Sequence, residues 1–267
     1  MSDERLEEAF ADAPTNWGKW GRNDELGAVN YLTEPQVLAG ARAIEHGKTF
    51  SLGVPIGRPE GDPKSPSRPE SQHYMVRDRG HYEAGKLPAD GRQGAEDVLT
   101  LALHGTTHVD ALGHSWYGDE MYNGFDPETS KGGLERCSVE PIAEHGVVGR
   151  GVLLDVARHR GVEHLAHDAT VSLSELKACA DEQGVELRER DVLVIRTGWL
   201  ERYYAGEHEP IEDFDEPGIT YSEELTAWFH DMEIPTFVTD TLANERTHPE
   251  SGIRLPLHAT FIRDQGI

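Results

Sequence analysis

Three histidines and one aspartate lie within eleven consecutive residues of this chain, in a segment that reads HGTTHVDALGH. They are His104, His108, Asp110 and His114. Residues 98–103, just before them, have the apolar, partly β-branched character of a buried strand, whereas the glycines and β-branched residues of the segment disfavour a helix. We therefore expect the histidines to follow a strand end in a loop, with the side chains of His108 and Asp110 on the same side of the extended chain. The fold must bring these polar groups together at that strand end.

These residue types suit a divalent metal ion. Imidazole nitrogen and carboxylate oxygen bind Zn²⁺, and a site with three protein ligands leaves one coordination position open for water, which is typical of catalytic zinc. The same donor atoms also accept Mn²⁺. Histidine alone is weak evidence, since the chain has 14 in 267 residues, but three with an aspartate in so short a segment are a specific signal. The segment therefore predicts a site for Zn²⁺ or Mn²⁺.

The segment resembles the signature of the metal-dependent cyclase family, which includes bacterial kynurenine formamidase and isatin hydrolase. The family pattern is H-x-G-[TS]-H-x-D-x-x-x-H, and here two threonines, Thr106 and Thr107, precede His108. This form of the motif is nearer to isatin hydrolase than to the short formamidases. The resemblance extends over most of the chain through residues 16–21, 24–27, 150–155, 191–199 and 255–258.

Apolar runs with strand character alternate with amphipathic helices along the chain, which indicates the α/β class. Strands are predicted at residues 48–56, 73–77, 98–103, 151–156, 191–196 and 234–238. Helices are predicted after residue 33 and at residues 138–145, 172–184, 220–231 and 255–263, where capping residues or terminal glycines mark helix ends. We find no domain boundary and expect one domain over residues 1–267. The resemblance implies a single three-layer swivelling β/β/α domain with mixed sheets, assembled as a homodimer or homotetramer.

The resemblance also implies roles for the motif residues. His104, His108 and Asp110 would hold one divalent ion per chain, and His114, the last histidine of the motif, would be the acid–base residue. Bound Zn²⁺ lowers the pKa of its water to about 7 and can polarise a carbonyl. Imidazole titrates near neutral pH and can protonate the poor leaving group of an amide. Alternatively, His114 orients the substrate or one of the metal ligands. Sequence spacing does not distinguish these roles, because it does not show where the ring nitrogens lie.

His258 is the second catalytic candidate. It follows a Leu-Pro-Leu segment, and in the family a histidine after such a segment approaches the same site. In family members with two metal ions, this histidine binds the second ion together with an acid farther along the chain. The sequence ends at Gly266-Ile267, before that position. We therefore expect one metal ion, with His258 polarising the substrate or orienting water.

A loop after the motif, residues 115–136, is rich in aromatic residues. Trp116, Tyr122 and Phe125 are among them. Such residues could pack over the edge of the core, or they could line a pocket for a flat substrate. Because they adjoin the predicted metal ligands, we assign the three to substrate binding.

These features predict a metal-dependent hydrolase that cleaves the C–N bond of a small non-peptide amide, either an N-formyl compound or a cyclic amide, with aromatic substrates among the candidates. One alternative is a non-haem Fe(II) oxygenase, because His108, Asp110 and the distant His258 match its two-histidine, one-carboxylate triad. In such enzymes an arginine just after the distant histidine binds a carboxylate, and Arg263 has that position here. This alternative gives no role to His104 and His114. The other alternative is a non-catalytic metal-binding module.

Composition limits the partners and the compartment. The formal net charge is −24, from 25 basic and 49 acidic residues, which argues against nucleic acids and anionic membranes as partners. No run approaches the roughly 18 apolar residues of a membrane span, and the acidic N-terminus lacks the apolar core of a secretory signal, so we expect a cytoplasmic protein.

The two cysteines, Cys137 and Cys179, make no disulfide framework, and we expect both to be packing residues rather than nucleophiles.

The acidic surface also predicts a response to salt. Like charges repel one another in the compact state, and only six of the basic residues are lysine, which favours a protein from a salt-accumulating organism over an ordinary acidic cytosolic enzyme. We expect the melting temperature to rise as KCl increases from about 0.1 M, where the Debye length is about 10 Å, toward molar concentrations. Differential scanning fluorimetry measures this shift. A melting temperature that stays constant or falls with KCl would contradict the salt-accumulating organism and favour an ordinary acidic cytosolic enzyme.

Overall fold

The computed structural model describes residues 3–57, 62–65, 67–87, 91–206 and 215–267. Contacts within the chain divide these residues into two compact units. The smaller unit lies within Phe50–His108, and the larger contains the described residues before and after that range. The single domain expected from the sequence stays a prediction.

The strands of the described residues are β1 (Gln72–Arg77), β2 (Glu96–Thr100), β3 (Gly151–Asp155), β4 (Thr170–Val171), β5 (Val192–Arg196), β6 (Gly218–Ile219) and β7 (Phe237–Thr239). The helices are α1 (Asp3–Ala9), α2 (Glu34–Arg42), α3 (Arg79–Glu83), α4 (Glu140–His145), α5 (Val156–His159), α6 (Leu173–Gln183), α7 (Trp199–Tyr204), α8 (Glu223–Asp231) and α9 (His258–Gln265), the last of which is π-helical. Short 3-10 turns lie at Gly27–Tyr31, Leu103–Gly105, Tyr122–Gly124 and Pro127–Ser130. None of these helices is long and apolar enough to cross a membrane.

The smaller unit contains an antiparallel pair of strands, β1 and β2. The strand predicted at residues 73–77 is confirmed as β1. The buried strand predicted at residues 98–103 is wrong in two respects, because the strand ends at Thr100 and every residue of β2 is exposed within the described chain. Its apolar run indicated burial on both faces, but β1 is its only partner among the described strands. Residues 48–56, also predicted as a strand, have no strand structure.

Three parallel strands form a sheet in the larger unit. Their order is β3-β5-β7, and β4 and β6 make a second parallel pair. The three strands of the first sheet were predicted at residues 151–156, 191–196 and 234–238, with shifts of up to three residues at their ends. Parallel and antiparallel sheets together confirm the α/β class. The three-layer swivelling arrangement stays a prediction.

Two serines cap helices that cover this sheet. The hydroxyl of Ser172 accepts from the amide of Glu175 at 3.2 Å, and that of Ser222 accepts from the amide of Leu225 at 3.1 Å, so each satisfies an amide of the first helical turn. Gly184 ends α6 in the left-handed conformation that favours glycine. The buried faces of α6, α8 and α9 and of the sheet share a core of almost fully buried side chains: Leu154, Leu176, Leu193, Ile195, Leu225, Phe229 and Phe261.

Residues 16 and 17, in one of the stretches that resemble the family, donate hydrogen bonds to carbonyls at the end of α9. The side chain of Asn16 donates to the carbonyl of Gln265 at 2.8 Å, and the indole of Trp17 donates to the carbonyl of Arg263 at 2.6 Å. Carbonyls in the last turn of a helix need such partners from outside the helix. These contacts fix the end of α9, the helix that begins at His258.

Both cysteines are buried and unbridged. Cys137 packs with Leu112 and Tyr122, and Cys179 lies in the main core. Burial raises the pKa of the Cys137 thiol to about 12 and that of the Cys179 thiol to about 11. A thiol with a raised pKa is a weak nucleophile at neutral pH. The predicted packing role of both cysteines is confirmed.

Candidate functional site

The boundary between the two units falls inside the motif, directly after His108. His104 and His108 therefore belong to the smaller unit, and Asp110 and His114 belong to the larger. His258 also lies in the larger unit. Each unit thus brings together part of the predicted site.

In the smaller unit, the rings of His104 and His108 meet edge to face, with their centroids 4.7 Å apart and their planes at 71°. His104 lies in the 3-10 turn after β2, which confirms the expectation of a loop rather than an α-helix. The guanidinium of Arg68 donates to the carbonyl of His104 and fixes this turn. The Nδ1 atom of His108 lies 2.6 Å from the carbonyl oxygen of Thr106. Since a carbonyl only accepts, the neutral ring of His108 carries its proton on Nδ1, and its Nε2 has the lone pair that a metal ion requires.

In the larger unit, Asp110, His114 and His258 converge. Each offers one ligand atom, and these atoms lie within 4.8 Å of one another. The Nε2 atom of His258 is 3.7 Å from a carboxylate oxygen of Asp110, and the ring centroids of His114 and His258 are 6.2 Å apart. One carboxylate and two imidazoles at such separations form a donor set that a divalent ion binds. Asp110, one of the predicted ligands, therefore lies in a donor set that fits a divalent ion, together with the two predicted catalytic histidines.

A tight turn sets the position of His114. Its amide donates to the carbonyl three residues earlier at 2.8 Å, and the amide of Gly113 donates to the carbonyl of Cys137 at the same distance. Leu112 is 2% exposed and anchors the turn in the core. Asp110 and His114 are half-buried on either side of the buried Leu112 and Gly113.

A buried carboxyl group, that of Glu245, contacts His258. Glu245 accepts hydrogen bonds from both the Nδ1 atom and the amide of His258, each at 2.7 Å, and its side chain is fully buried. Burial disfavours the imidazolium, but the hydrogen bond to Glu245 and the charges of Glu245, Asp110 and Glu216 outweigh burial and raise the pKa of His258. The ring therefore favours its protonated form more than an ordinary histidine does.

Glu216 is a second fully buried carboxyl group whose charge acts on His258. Burial raises the pKa of Glu216 to about 8, an effect that hydrogen bonds from the amides of Leu242 and Ala243 oppose. The sequence analysis predicted neither Glu216 nor Glu245. No local pattern marks them, because the burial of a glutamate in a loop depends on contacts with distant segments.

The three aromatic residues predicted to bind substrate have different surroundings. Tyr122 is buried, and its hydroxyl donates to Asp24 at 2.9 Å. Phe125 packs in the same cluster, with the guanidinium of Arg136 4.6 Å from its ring centroid. Trp116 is 38% exposed. Substrate contact by these residues stays a prediction, and Trp116 presents the most exposed ring of the three.

The family model of the cyclases, described as "Putative cyclase", matches residues 32–246. A crystal structure described as that of a novel cyclase is similar over 95% of this chain and 84% of that chain, with 33% identity and a TM-score of 0.84. Isatin hydrolase A from Labrenzia aggregata, bound to benzyl benzoate, is similar over 85% of this chain and 81% of its own, with 17% identity and a TM-score of 0.52. Isatin hydrolase A from Ralstonia solanacearum is similar over 85% of this chain and 80% of its own, with 20% identity and a TM-score of 0.50. At these identities the two hydrolases show a similar fold alone, and none of the curated proteins matches the chain.

Proposed function

The chain belongs to the Cyclase family, and from this premise we propose that it is a metal-dependent hydrolase of small non-peptide amides. The bond cleaved is the C–N bond of an N-formyl compound or a cyclic amide. The observation that carries the proposal is the convergence of Asp110, His114 and His258 in the larger unit. The structurally similar isatin hydrolases act on isatin, as their name states, which supports a small-molecule substrate.

The proposed ligands of the metal ion are His104, His108 and Asp110, with one Zn²⁺ or Mn²⁺ per chain. A single residue separates His108 from Asp110, so the covalent chain keeps these two ligands near each other. Asp110 in turn lies beside His114 and His258. When bound, the ion supplies a water of lowered pKa and polarises the amide carbonyl.

His114 is the proposed acid–base residue. An amide nitrogen leaves poorly unless it is protonated, and imidazole can donate that proton near neutral pH. The turn anchored by Leu112 holds the His114 ring beside Asp110, where the amide would be cleaved. His258 is proposed to assist through Nε2. The protonated ring would donate to the substrate carbonyl, and the neutral ring would accept from water and orient it.

The oxygenase alternative requires Arg263 to bind a substrate carboxylate. The guanidinium of Arg263 instead pairs with Asp264 at 2.5 Å and packs against the rings of Tyr117 and Trp17, at 4.0 and 4.7 Å from their centroids. These contacts engage the group that the alternative needs. The hydrolase also gives a role to each histidine of the motif.

We further propose that the protein is a homodimer or homotetramer, built from one three-layer swivelling domain, in the cytoplasm of a salt-accumulating organism. Membership of the family supports the assembly and the fold, and the net charge of −24 supports the organism. Trp116, Tyr122 and Phe125 would line the pocket for the substrate.

The experiment that tests the function is a substrate panel with oxygen excluded. Purified protein should contain about one divalent ion per chain, and it should hydrolyse at least one member of a panel of N-formyl aromatic amines and cyclic amides. Removal of the ion with a chelator should abolish turnover, and Zn²⁺ or Mn²⁺ should restore it. Turnover that requires O₂ would favour the oxygenase. Bound metal without turnover of any panel member would favour the binding module.

A further inference from the structure

Glu245 contacts His258 at both its backbone and its ring. Oε1 of Glu245 accepts from the amide and from the Nδ1 atom of His258, each at 2.7 Å, and Oε2 accepts from the amide of Leu257 at 2.8 Å. The side chain of Glu245 is almost completely buried. A buried carboxylate that accepts three hydrogen bonds is held in one orientation, because turning it would leave buried donors without partners.

This contact decides where His258 carries its proton. Since a carboxylate only accepts, Nδ1 must be the donor. In the neutral ring, Nε2 then has the lone pair, and in the imidazolium Nε2 has a second proton. In both states Nε2 is the atom directed to Asp110, at 3.7 Å from its carboxylate oxygen. The other neutral tautomer would set the Nδ1 lone pair against the negative charge of Glu245.

The backbone that carries Glu245 is itself fixed against β6. Glu245 pairs with Ile219 in a parallel bridge, and the amide of Arg246 donates to the carbonyl of Ile219 at 2.8 Å. Gly218 permits this approach. A Cβ atom at Gly218 would lie 2.7 Å from the carbonyl carbon of Glu245 and 2.9 Å from the amide nitrogen of Arg246, closer than side chains pack. Any larger residue at this position must displace Glu245.

Glu216 holds the start of the same loop. Its carboxyl oxygens accept from the amide of Leu242 at 2.7 Å and from the amide of Ala243. Beyond Glu245, the guanidinium of Arg246 pairs with Asp215 at 2.9 Å. The loop is thus tied on both sides of Glu245 to the residues around the start of β6.

We propose that Glu245 is a positioning residue for His258, which keeps the ring proton on Nδ1 and reserves Nε2 for the reacting groups, and that Gly218 and Glu216 hold Glu245 in place for this task. Neither carboxyl group is part of the motif that predicted the site. The inference rests on the proposed function in placing His258 at the active site. The hydrogen bonds that carry it do not depend on activity.

The test is the tautomer of His258 in the metal-free protein, read from the ¹⁵N shifts of labelled imidazoles as the pH is raised until the His258 ring is neutral. The signal is assigned by its loss in His258→Gln. Wild-type protein should show His258 protonated at Nδ1. Glu245→Gln replaces one acceptor by an amide donor, and Gly218→Ala keeps the carboxylate but displaces it, so both should raise the population protonated at Nε2. Glu250→Gln, at an exposed glutamate, should change nothing.

In folded Glu245→Gln and Gly218→Ala proteins, kcat on a panel substrate should fall by about 10–100-fold, the effect typical of groups that orient a site histidine. Unfolding midpoints establish that each variant is folded, and if Glu245→Gln does not fold, Gly218→Ala decides the matter. Wild-type Nδ1 protonation in the folded variants would overturn the inference. A tautomer shift in a protein that hydrolyses no member of the panel would overturn the proposed function and leave the positioning role intact.

Discussion

Replacement of Asp110 by asparagine should remove most of the bound metal and lower turnover by about 10³-fold or more. Asparagine keeps the size of the side chain but loses the charge that balances a divalent ion. Metal polarisation contributes several kcal/mol to the transition state, and each 1.4 kcal/mol is about tenfold in rate. Asp110 is the carboxylate of the set that it forms with His114 and His258, so neither neighbour can replace its charge.

The matched control is Asp119→Asn, at an exposed aspartate in the following loop. It makes the same chemical change and should leave metal content and kcat unaltered. Metal is counted by mass spectrometry, and kcat is measured on the best panel substrate. His104→Ala and His108→Ala should lose metal as Asp110→Asn does. A full complement of metal in Asp110→Asn would contradict its assignment as a ligand.

His114→Ala should keep its metal and lose roughly 10²–10⁴-fold in kcat, the range expected when a general acid–base group is removed. The loss should be smaller for an ester or an activated amide, because a leaving group that is stable as an anion needs no proton. The measurement is kcat on a poor and a good leaving group, with metal content beside each value. A loss that depends on the leaving group identifies a proton donor rather than a group that only binds the substrate.

His145→Ala is the control for this variant, since His145 is exposed on α4 and belongs to the same unit. It should match wild-type protein on both substrates. Loss of metal in His114→Ala would make His114 a ligand, and the acid–base role would then pass to His258. An equal loss of kcat on both substrates would remove the proton-donor role while leaving the metal assignment untouched.

The sequence predicted helices and strands whose ends are set by residues next to them in the chain. Ser172 caps the start of α6 with its side chain, and Gly184 ends the helix in the left-handed conformation. Both residues are recognisable as helix ends in the sequence. The apolar runs of β3 and β5 likewise placed two strands of the parallel sheet. The motif drew attention to Asp110 and His114, which lie close together because only three residues separate them in sequence.

Features that depend on distant segments were missed. The burial of β2 was predicted from its apolar run, yet burial depends on what covers a strand, and periodicity carries no such information. Glu245 comes 13 residues before His258 in an irregular loop, and its place beside that ring depends on contacts with distant residues such as Ile219. The hydrogen bond from the Tyr122 hydroxyl to Asp24 was likewise not predicted, because the two residues are far apart in sequence.

The source of the oxygen atom in the product tests the central claim most directly, since the claim is that water cleaves an amide at this site. Wild-type protein loaded with Zn²⁺ or Mn²⁺ is given its best panel substrate in H2¹⁸O with O₂ excluded, and the acid product is analysed by mass spectrometry. The account predicts turnover at the full rate, with ¹⁸O from the solvent in the new carboxyl group. Product that forms only when O₂ is admitted, and that carries oxygen from ¹⁸O₂, would contradict it.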